Sequence, residues 1–270
     1  MYGLFLDKSA TDSKSLLDYL SNWKQKNSLQ TQEYQLSTVE EITTILKQNG
    51  EKFSTVVAIG SPEYFEALIT ESRLLRPDVV FSYVPTSRNI LSKRLGIKDY
   101  KEGFEIVAQR KVIELTALSV NQHYFLFDYI LESEHNKKSN EPVKSIIKID
   151  KSLEIKMNTY KIIIHNRNQE ITSHNTALLI EVYNKNLKHK QSTNILNIPG
   201  VSRISNDSHD ILQLRLPAQN LISESSQSMS DRRGKIIKNP IRVGFNKKII
   251  RLIVKRGQEI QSIMSPGLIS

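Results

Sequence analysis

Residues 55–64 carry the arrangement with the clearest chemical use. Val56 to Ile59 form a short apolar run, the pattern of a strand buried on both faces of a parallel sheet. Gly60 ends the run, Ser61 suits an N-cap, and Pro62 suits a first helical position, where no N–H is required. Tyr64, Phe65, Leu68 and Ile69 then share one helical face. A strand, tight turn and helix in that order aim backbone N–H groups and a positive helix end at the turn, where phosphates bind. Gly60 and Ser61 are therefore candidate phosphate contacts, and Glu63 brings a carboxylate beside them. Glu63 has a plainer reading as a first-turn acid that complements the helix dipole.

Other catalytic constellations are not supported. The six histidines, at 123, 135, 165, 174, 189 and 209, form no i,i+4 pair and no ligand cluster. Neither a Gly-x-Ser-x-Gly elbow nor a Gly-Lys-Ser/Thr phosphate loop occurs. Cysteine is absent, which excludes disulfides and thiolate metal sites and makes a reducing cytoplasm the expectation. Glycine is scarce, 10 of 270 residues, and phosphate-cradling turns need glycine for close backbone approach. Tyr124, Phe125, Phe127 and Tyr129 read as the alternation of a β-core rather than as base-stacking rings.

The elements that must position the 55–64 turn read as alternating strands and helices. Tyr2–Leu6 is a first strand with Asp7–Ala10 as its turn. Asp12 or Ser13 caps a helix whose Leu16, Leu20 and Trp23 share a face. A weak strand follows at Glu33–Leu36, and Thr38 and Glu41 stand at capping-box spacing before a helix stopped by Asn49-Gly50. Val79–Pro85 is the next strand. After Gly96 the pattern turns to strands without helices, at 111–120, 123–131, 144–149, 160–165, 177–183 and 210–216. Residues 132–143 read as a polar loop and 223–230, with five serines, as a flexible connection. The expected fold is α/β plus β. A doubly wound parallel sheet with helices on both faces spans 1–100, and a mostly antiparallel β-sandwich spans 101–270.

The net charge of +10 is unevenly spread. Residues 1–100 hold 12 Lys+Arg and 12 Asp+Glu, so the whole excess lies in 101–270. Residues 232–256 alone hold ten basic side chains and no acid, among them Arg232, Arg233, Lys235, Lys247 and Lys248. The plain reading is a solvated strand face. The functional readings are an anionic membrane surface or, with no recognition motif beside the charge, nucleic acid. No signal-like segment opens the chain and no apolar run reaches membrane-span length. A cytoplasmic protein, peripheral at a membrane if the basic segment engages one, is the expectation.

The order of these features resembles the catalytic domain of diacylglycerol kinases and related lipid kinases, within the NAD kinase-like superfamily. Val56–Gly60, Val79–Pro85 and Leu95-Gly96-Ile97 match that family's strand, second strand and helix end. Its Gly-Gly-Asp-Gly-Thr turn falls on Gly60-Ser61-Pro62-Glu63-Tyr64. Its Gly-Thr-x-Asn-Asp turn falls, one residue short, near Thr86 and Ser87, with Asn89 on the Asn and Ile90 on the Asp. Its first nucleotide-contacting turn leaves only Ser9 comparable. Arg110–Leu115, Val120-Asn121 and Tyr124–Leu126 match its entry into the β-domain, and Asn206–Leu212 resembles its Asp-Asp-Gly-x-Leu segment. The resemblance also implies that residues 241–260 pack back on the first domain.

What the resemblance implies is an ATP- and Mg²⁺-dependent kinase acting on a lipid hydroxyl, with Ser9, Gly60, Ser61, Glu63, Ser87 and Asn89 at the nucleotide. The departures sit in the chemistry. Pro62 replaces the turn's Asp and removes a donor, Tyr64 replaces its Thr, and no Glu occurs from 225 to 258, where the family's base lies. Asp231 is the one acid near that base position, and Asp207 and Asp210 are the remaining metal candidates; an Asp before a strand is also ordinary turn chemistry. Two readings stand: a lipid kinase-like binding or regulatory protein without phosphoryl transfer, and a divergent active kinase.

Overall fold

The computed structural model describes residues 1–121, 123–133, 144–149, 153–158, 161–166, 178–184, 201–205, 210–216, 220–225, 229–231, 236–237 and 240–258. Two compact units result, one of 1–116 with 248–270 and one of 117–247.

In the first unit, strands β1 (Tyr2–Leu6), β2 (Thr31–Gln35), β3 (Thr55–Gly60) and β4 (Val80–Pro85) lie in the order β2-β1-β3-β4, every pair parallel. Each of Val56 to Ile59 is fully buried, as the continuous apolar run requires of a central parallel strand. Between the strands run helices α1 (Lys8–Thr11), α2 (Lys14–Lys26), α3 (Glu41–Asn49), α4 (Pro62–Thr70), α5 (Ile90–Arg94) and α6 (Tyr100–Gln109). Ser13 caps α2 by accepting from the Leu16 N–H, and Leu16, Leu20 and Trp23 are its buried stripe. The capping box expected before α3 forms only by half. Glu41 accepts from the Thr38 N–H, but the Thr38 hydroxyl donates to the same carboxylate instead of capping the helix. Helix contacts divide into two groups, α2 with α6 and α3 with α4. Right-handed crossovers running in opposite directions from β1 produce that division.

Helix α6 is a correction to the strand-only reading after Gly96. Asp99 caps it by accepting from the Glu102 N–H, and its buried residues are Gly103, Phe104, Ile106 and Val107. Phe104 packs its ring at a tilt against Trp23 at 5.1 Å and Tyr19 at 5.8 Å, while a Cβ on Gly103 would press on Val84 of β4 at 3.2 Å. A ten-residue helix with one glycine and a short apolar stripe is weak by propensity, and tertiary packing supplies its stability.

The second unit is built of antiparallel pairs. Its strands are β5 (Val112–Val120, shared with the first unit), β6 (His123–Phe125), β7 (Asp128–Ser133), β8 (Lys144–Ile149), β9 (Leu153–Asn158), β10 (Lys161–Asn166) and β11 (Leu178–Asn184). They continue with β12 (Val201–Ser205), β13 (Asp210–Leu216), β14 (Asn220–Ser225), β15 (Met229–Asp231), β16 (Ile236–Ile237) and the start of β17 (Ile241–Ile253). One set runs β12-β13-β11-β10-β7-β15-β16, and another joins β17, β14, β8 and β9. Of the serine-rich 223–230 stretch, read from sequence as a flexible connection, 223–225 end β14 and 229–230 open β15 through pairing with β8, β17 and β7, and 226–228 lie outside the described residues.

Strand β17 runs through both units. Its first half pairs antiparallel with β14, and Arg251 and Leu252 pair parallel with Val80 and Phe81 of β4. Beyond the strand, Lys255 Nζ donates to Glu102 Oε1 at 2.6 Å, and Glu102 also accepts from the Lys98 N–H at 2.7 Å. These contacts hold the Glu102 carboxyl below its ordinary value of 4.5, the Lys255 hydrogen bond contributing most. A lowered folded-state value means the contribution to stability is present above pH 4.5 and is lost as pH falls through the folded value. Glu102→Gln should therefore cost about 0.5–1 kcal/mol of stability near neutral pH for a partly exposed pair, read as a lower thermal midpoint. The variant and wild-type melting curves should converge under acid; an equal gap at pH 7 and well below pH 4 would remove Glu102 from the account.

Candidate functional site

Strand β1 connects to β2 on one side and the chain then crosses to β3 on the other, so the topological switch point lies between β1 and β3. Ligands of open α/β sheets bind at the carboxyl ends of the strands at such a point. The residues there are Asp7 after β1, Gly60 at the end of β3 with Ser61 following it, and Thr86 to Asn89 after β4.

Asp7 is the centre of this cluster. It is 4% exposed, and its carboxylate accepts three hydrogen bonds. The Ala10 N–H gives one at 2.9 Å, the Ser9 hydroxyl one at 2.7 Å, and the Ser61 N–H one at 2.7 Å. The Asp7 N–H in turn donates to the Ile59 carbonyl at 3.1 Å. Gly60 has φ +137°, a conformation that side chains rarely adopt, and a Cβ there would fall inside the Asp7 carboxyl group. Ser61 is the N-cap residue of α4 and Pro62 its first position, but the Ser61 side chain makes no cap hydrogen bond. The backbone of Ser61 binds Asp7 instead.

A second set of bonds secures the turn after β4. The buried Tyr83 hydroxyl donates to the Gly60 carbonyl at 2.8 Å and accepts from Asn89 Nδ2 at 2.8 Å. Burial pushes the Tyr83 phenol well above its ordinary value, partly offset by the Asn89 hydrogen bond, so the hydroxyl remains a donor. The Asn89 amide also donates to the Ser87 carbonyl at 2.9 Å. Its oxygen accepts from the Ser92 N–H at 2.8 Å, and the Ser92 hydroxyl accepts from the Asn89 N–H, closing a capping box on α5. The exposed Ser9 and Thr86 hydroxyls meet at 2.7 Å, linking the turns after β1 and β4. Tyr64, in the family's Thr position, is a buried residue of α4; burial raises its phenol, with the Asp7 charge as a smaller cause.

The sequence-derived candidates thus separate. Ser9, Gly60, Ser61, Ser87 and Asn89 come together at the switch point, but each reaches into the protein's own network. Glu63 is exposed in the first turn of α4 and, among the described contacts, takes no hydrogen bond or ion pair. Asp231 closes β15 opposite Leu131, and Asp210 opens β13 opposite Ser205 and Asn184, with their side chains outside the described residues. Asp207, Arg232, Arg233, Lys235 and the Lys247 side chain also lie outside them. Lys248 is half-buried in β17, and desolvation lowers its ammonium below the ordinary value.

Asp7 is the residue that sequence reasoning missed. Its signal was positional: β1 and β3 pair with Leu6 opposite Ile59, which sets Asp7 level with Gly60.

The turn does not fit a nucleotide phosphate. Two backbone donors and one hydroxyl of the cradle are already spent on a carboxylate, Pro62 offers no N–H, and the Asp7 charge repels an anion. Among the described residues no group of three or more His, Asp or Glu side chains is placed to hold a metal ion.

No protein-family model matches the chain, and no curated protein does. Solved structures do. A diacylglycerol kinase structure from Bacillus anthracis str. Sterne aligns with a TM-score of 0.61 at 14% identity, over 94% of this chain and 97% of that one. The chain has the diacylglycerol kinase and NAD kinase fold. The Archaeoglobus fulgidus NAD kinase in complex with ATP aligns with a TM-score of 0.59 at 9% identity, over 95% and 94%. Yeast NADH kinase complexed with NADH aligns at 0.53 and 10%, over 94% and 84%.

Gly60→Ala should destabilise the protein by about 2 kcal/mol or more, because it combines a disfavoured φ with a clash against a buried charge. Chemical denaturation measures it. A midpoint unchanged from wild type would show that the Asp7 packing is looser than described.

Proposed function

We propose that the chain is a diverged relative of the lipid kinases that works as a binding or regulatory protein without ATP-dependent phosphoryl transfer. One observation carries the reading: the Asp7 carboxylate fills the β3–α4 turn and consumes its donors. The resemblance over residues 55–97 and the aligned kinase structures support the lipid kinase relationship. The lost glycine, the Pro62 replacement and the missing C-terminal Glu support the loss of transfer. Removing one electrostatic or positioning group from a phosphoryl-transfer site typically costs about 10²–10³ in rate. Groups that act as a unit do not add, yet a combined slowing beyond about 10⁴ leaves little of a usual kinase rate of roughly 1–100 s⁻¹.

The expected result with radiolabelled ATP, Mg²⁺ and diacylglycerol in mixed micelles is no turnover above a protein-free control, together with no saturable ATP binding by calorimetry. Turnover within two orders of magnitude of an ordinary kinase, abolished by Asp207→Asn or Glu63→Gln, establishes the divergent active kinase instead.

The partner we propose is an anionic lipid surface met by the basic 232–256 segment, each cation near the surface contributing about 1 kcal/mol. Half-buried Lys248 contributes less than its exposed neighbour Arg242. Co-sedimentation with phosphatidylserine vesicles should exceed that with neutral vesicles at low salt and fall as salt rises. Equal binding to both lipids counts against the proposal.

A further inference from the structure

Resting on the lipid-surface partner proposed above, we infer that the outer face of α5 and the turn before it form a bilayer-docking corner on the first unit. Ile90 is its apolar wedge, and Arg88 and Lys93 are its headgroup contacts. Ile90 is 68% exposed, the most exposed large apolar side chain among the described residues. A single exposed isoleucine is ordinary on a protein surface, so the weight falls on its setting. Residues 86–98 hold Arg88, Lys93, Arg94 and Lys98 and no acid, within a 1–100 stretch whose 12 basic and 12 acidic side chains cancel. Helix α5 is two-faced. Leu91, Ser92 and, at its end, Leu95 are buried, while Ile90 and Lys93 are exposed three positions apart and Arg94 is half-buried beside them. Ser87 and Arg88 are exposed in the turn before the helix. The Ser9–Thr86 hydroxyl contact at 2.7 Å brings the turn after β1 alongside, and Lys8 there is exposed as well.

The corner is held in place at both ends. Asn89 caps α5 and donates to the Tyr83 hydroxyl, and beyond the helix Gln258 Nε2 donates to the Arg94 carbonyl at 2.9 Å. Ile90 is therefore presented by a formed element, and docking bears little ordering cost. An apolar side chain flanked by cations suits the boundary between acyl chains and anionic headgroups. The isoleucine leaves water, while the long Arg and Lys side chains keep their charges at headgroup level. A free inorganic anion or a nucleic-acid backbone would meet the cations but leave Ile90 in water.

The test titrates the full chain with mixed phosphatidylserine–phosphatidylcholine vesicles at low salt. Ile90→Ala should weaken binding about tenfold. Arg88→Ala and Lys93→Ala should each weaken it about fivefold, a difference that shrinks as salt rises while that of Ile90→Ala persists. Ile90→Trp reports the wedge directly, because the chain's one tryptophan, Trp23, is 3% exposed. On vesicles its emission should shift to the blue and be quenched by lipids brominated in their acyl chains, with neither change in wild type. Ile90→Ala binding as tightly as wild type, or Ile90→Trp escaping the brominated lipids, overturns the corner. Arg232→Ala combined with Arg233→Ala separates this inference from the basic-segment reading. Binding lost there, with the α5 variants bound like wild type, keeps that reading and overturns this inference. The reverse pattern keeps this inference and overturns the segment, and a wild type that binds no phosphatidylserine vesicles overturns both.

Discussion

A carboxylate buried to 4% exposure is expensive unless donors replace the water it has lost. The Asp7 group has three such donors, and much of the first unit's upper edge follows from satisfying it. Gly60 must lack a side chain, the α4 N-terminus must start where its Ser61 N–H can reach back, and Ser9 must stand beside Thr86. Tyr83 and Asn89 then hold the Gly60 carbonyl from the other side. The switch point is thereby stitched across three successive strands of the sheet. Removing one partner from such a network leaves buried groups unpaired, which costs more than the bond itself contributes.

The same geometry explains how fold and chemistry can part. A parallel sheet with its helices is held by apolar burial, from Leu4 to Leu6 and Val56 to Ile59, and that burial is indifferent to what sits in the turns. The kinase-type frame survives at 9–14% identity because its core positions need only be apolar and of suitable size. The turns obey stricter rules. A phosphate cradle needs free N–H groups and little negative charge, and Pro62 and Asp7 remove both. Function is carried by sites grafted on folds, so a shared frame does not by itself fix the chemistry of the turns.

Strand β17 shows a further dependence. It begins among antiparallel partners and ends in parallel pairing with β4, so one strand serves both units. Its buried residues Ile250, Leu252 and Ile253, with Val254 just beyond the strand, complete the first unit's core from the far end of the chain. Glu102 and Lys255 fasten that return where the strand leaves the sheet.

Local pattern alone determined much of this protein. The Val56–Ile59 run, the Ser13 cap with its Leu16, Leu20 and Trp23 stripe, and the Asp210–Leu216 strand are legible because burial on a sheet or helix face imposes a period on neighbouring residues. The motif losses at Pro62 and Tyr64 were equally visible, since each is a change of residue type at a fixed spacing. Tertiary structure decided what no period records. Helix α6 exists because Phe104 finds Trp23 and Tyr19, residues some 80 positions away, and Ser223, Ser225 and Ser230 enter strands because neighbouring strands claim their backbone. Asp7 reads in the sequence as a common turn residue. It becomes the hub of the switch point only when parallel pairing sets the ends of β1 and β3 side by side, because only then does the distant Ser61 N–H join the local Ser9 and Ala10 donors at its carboxylate.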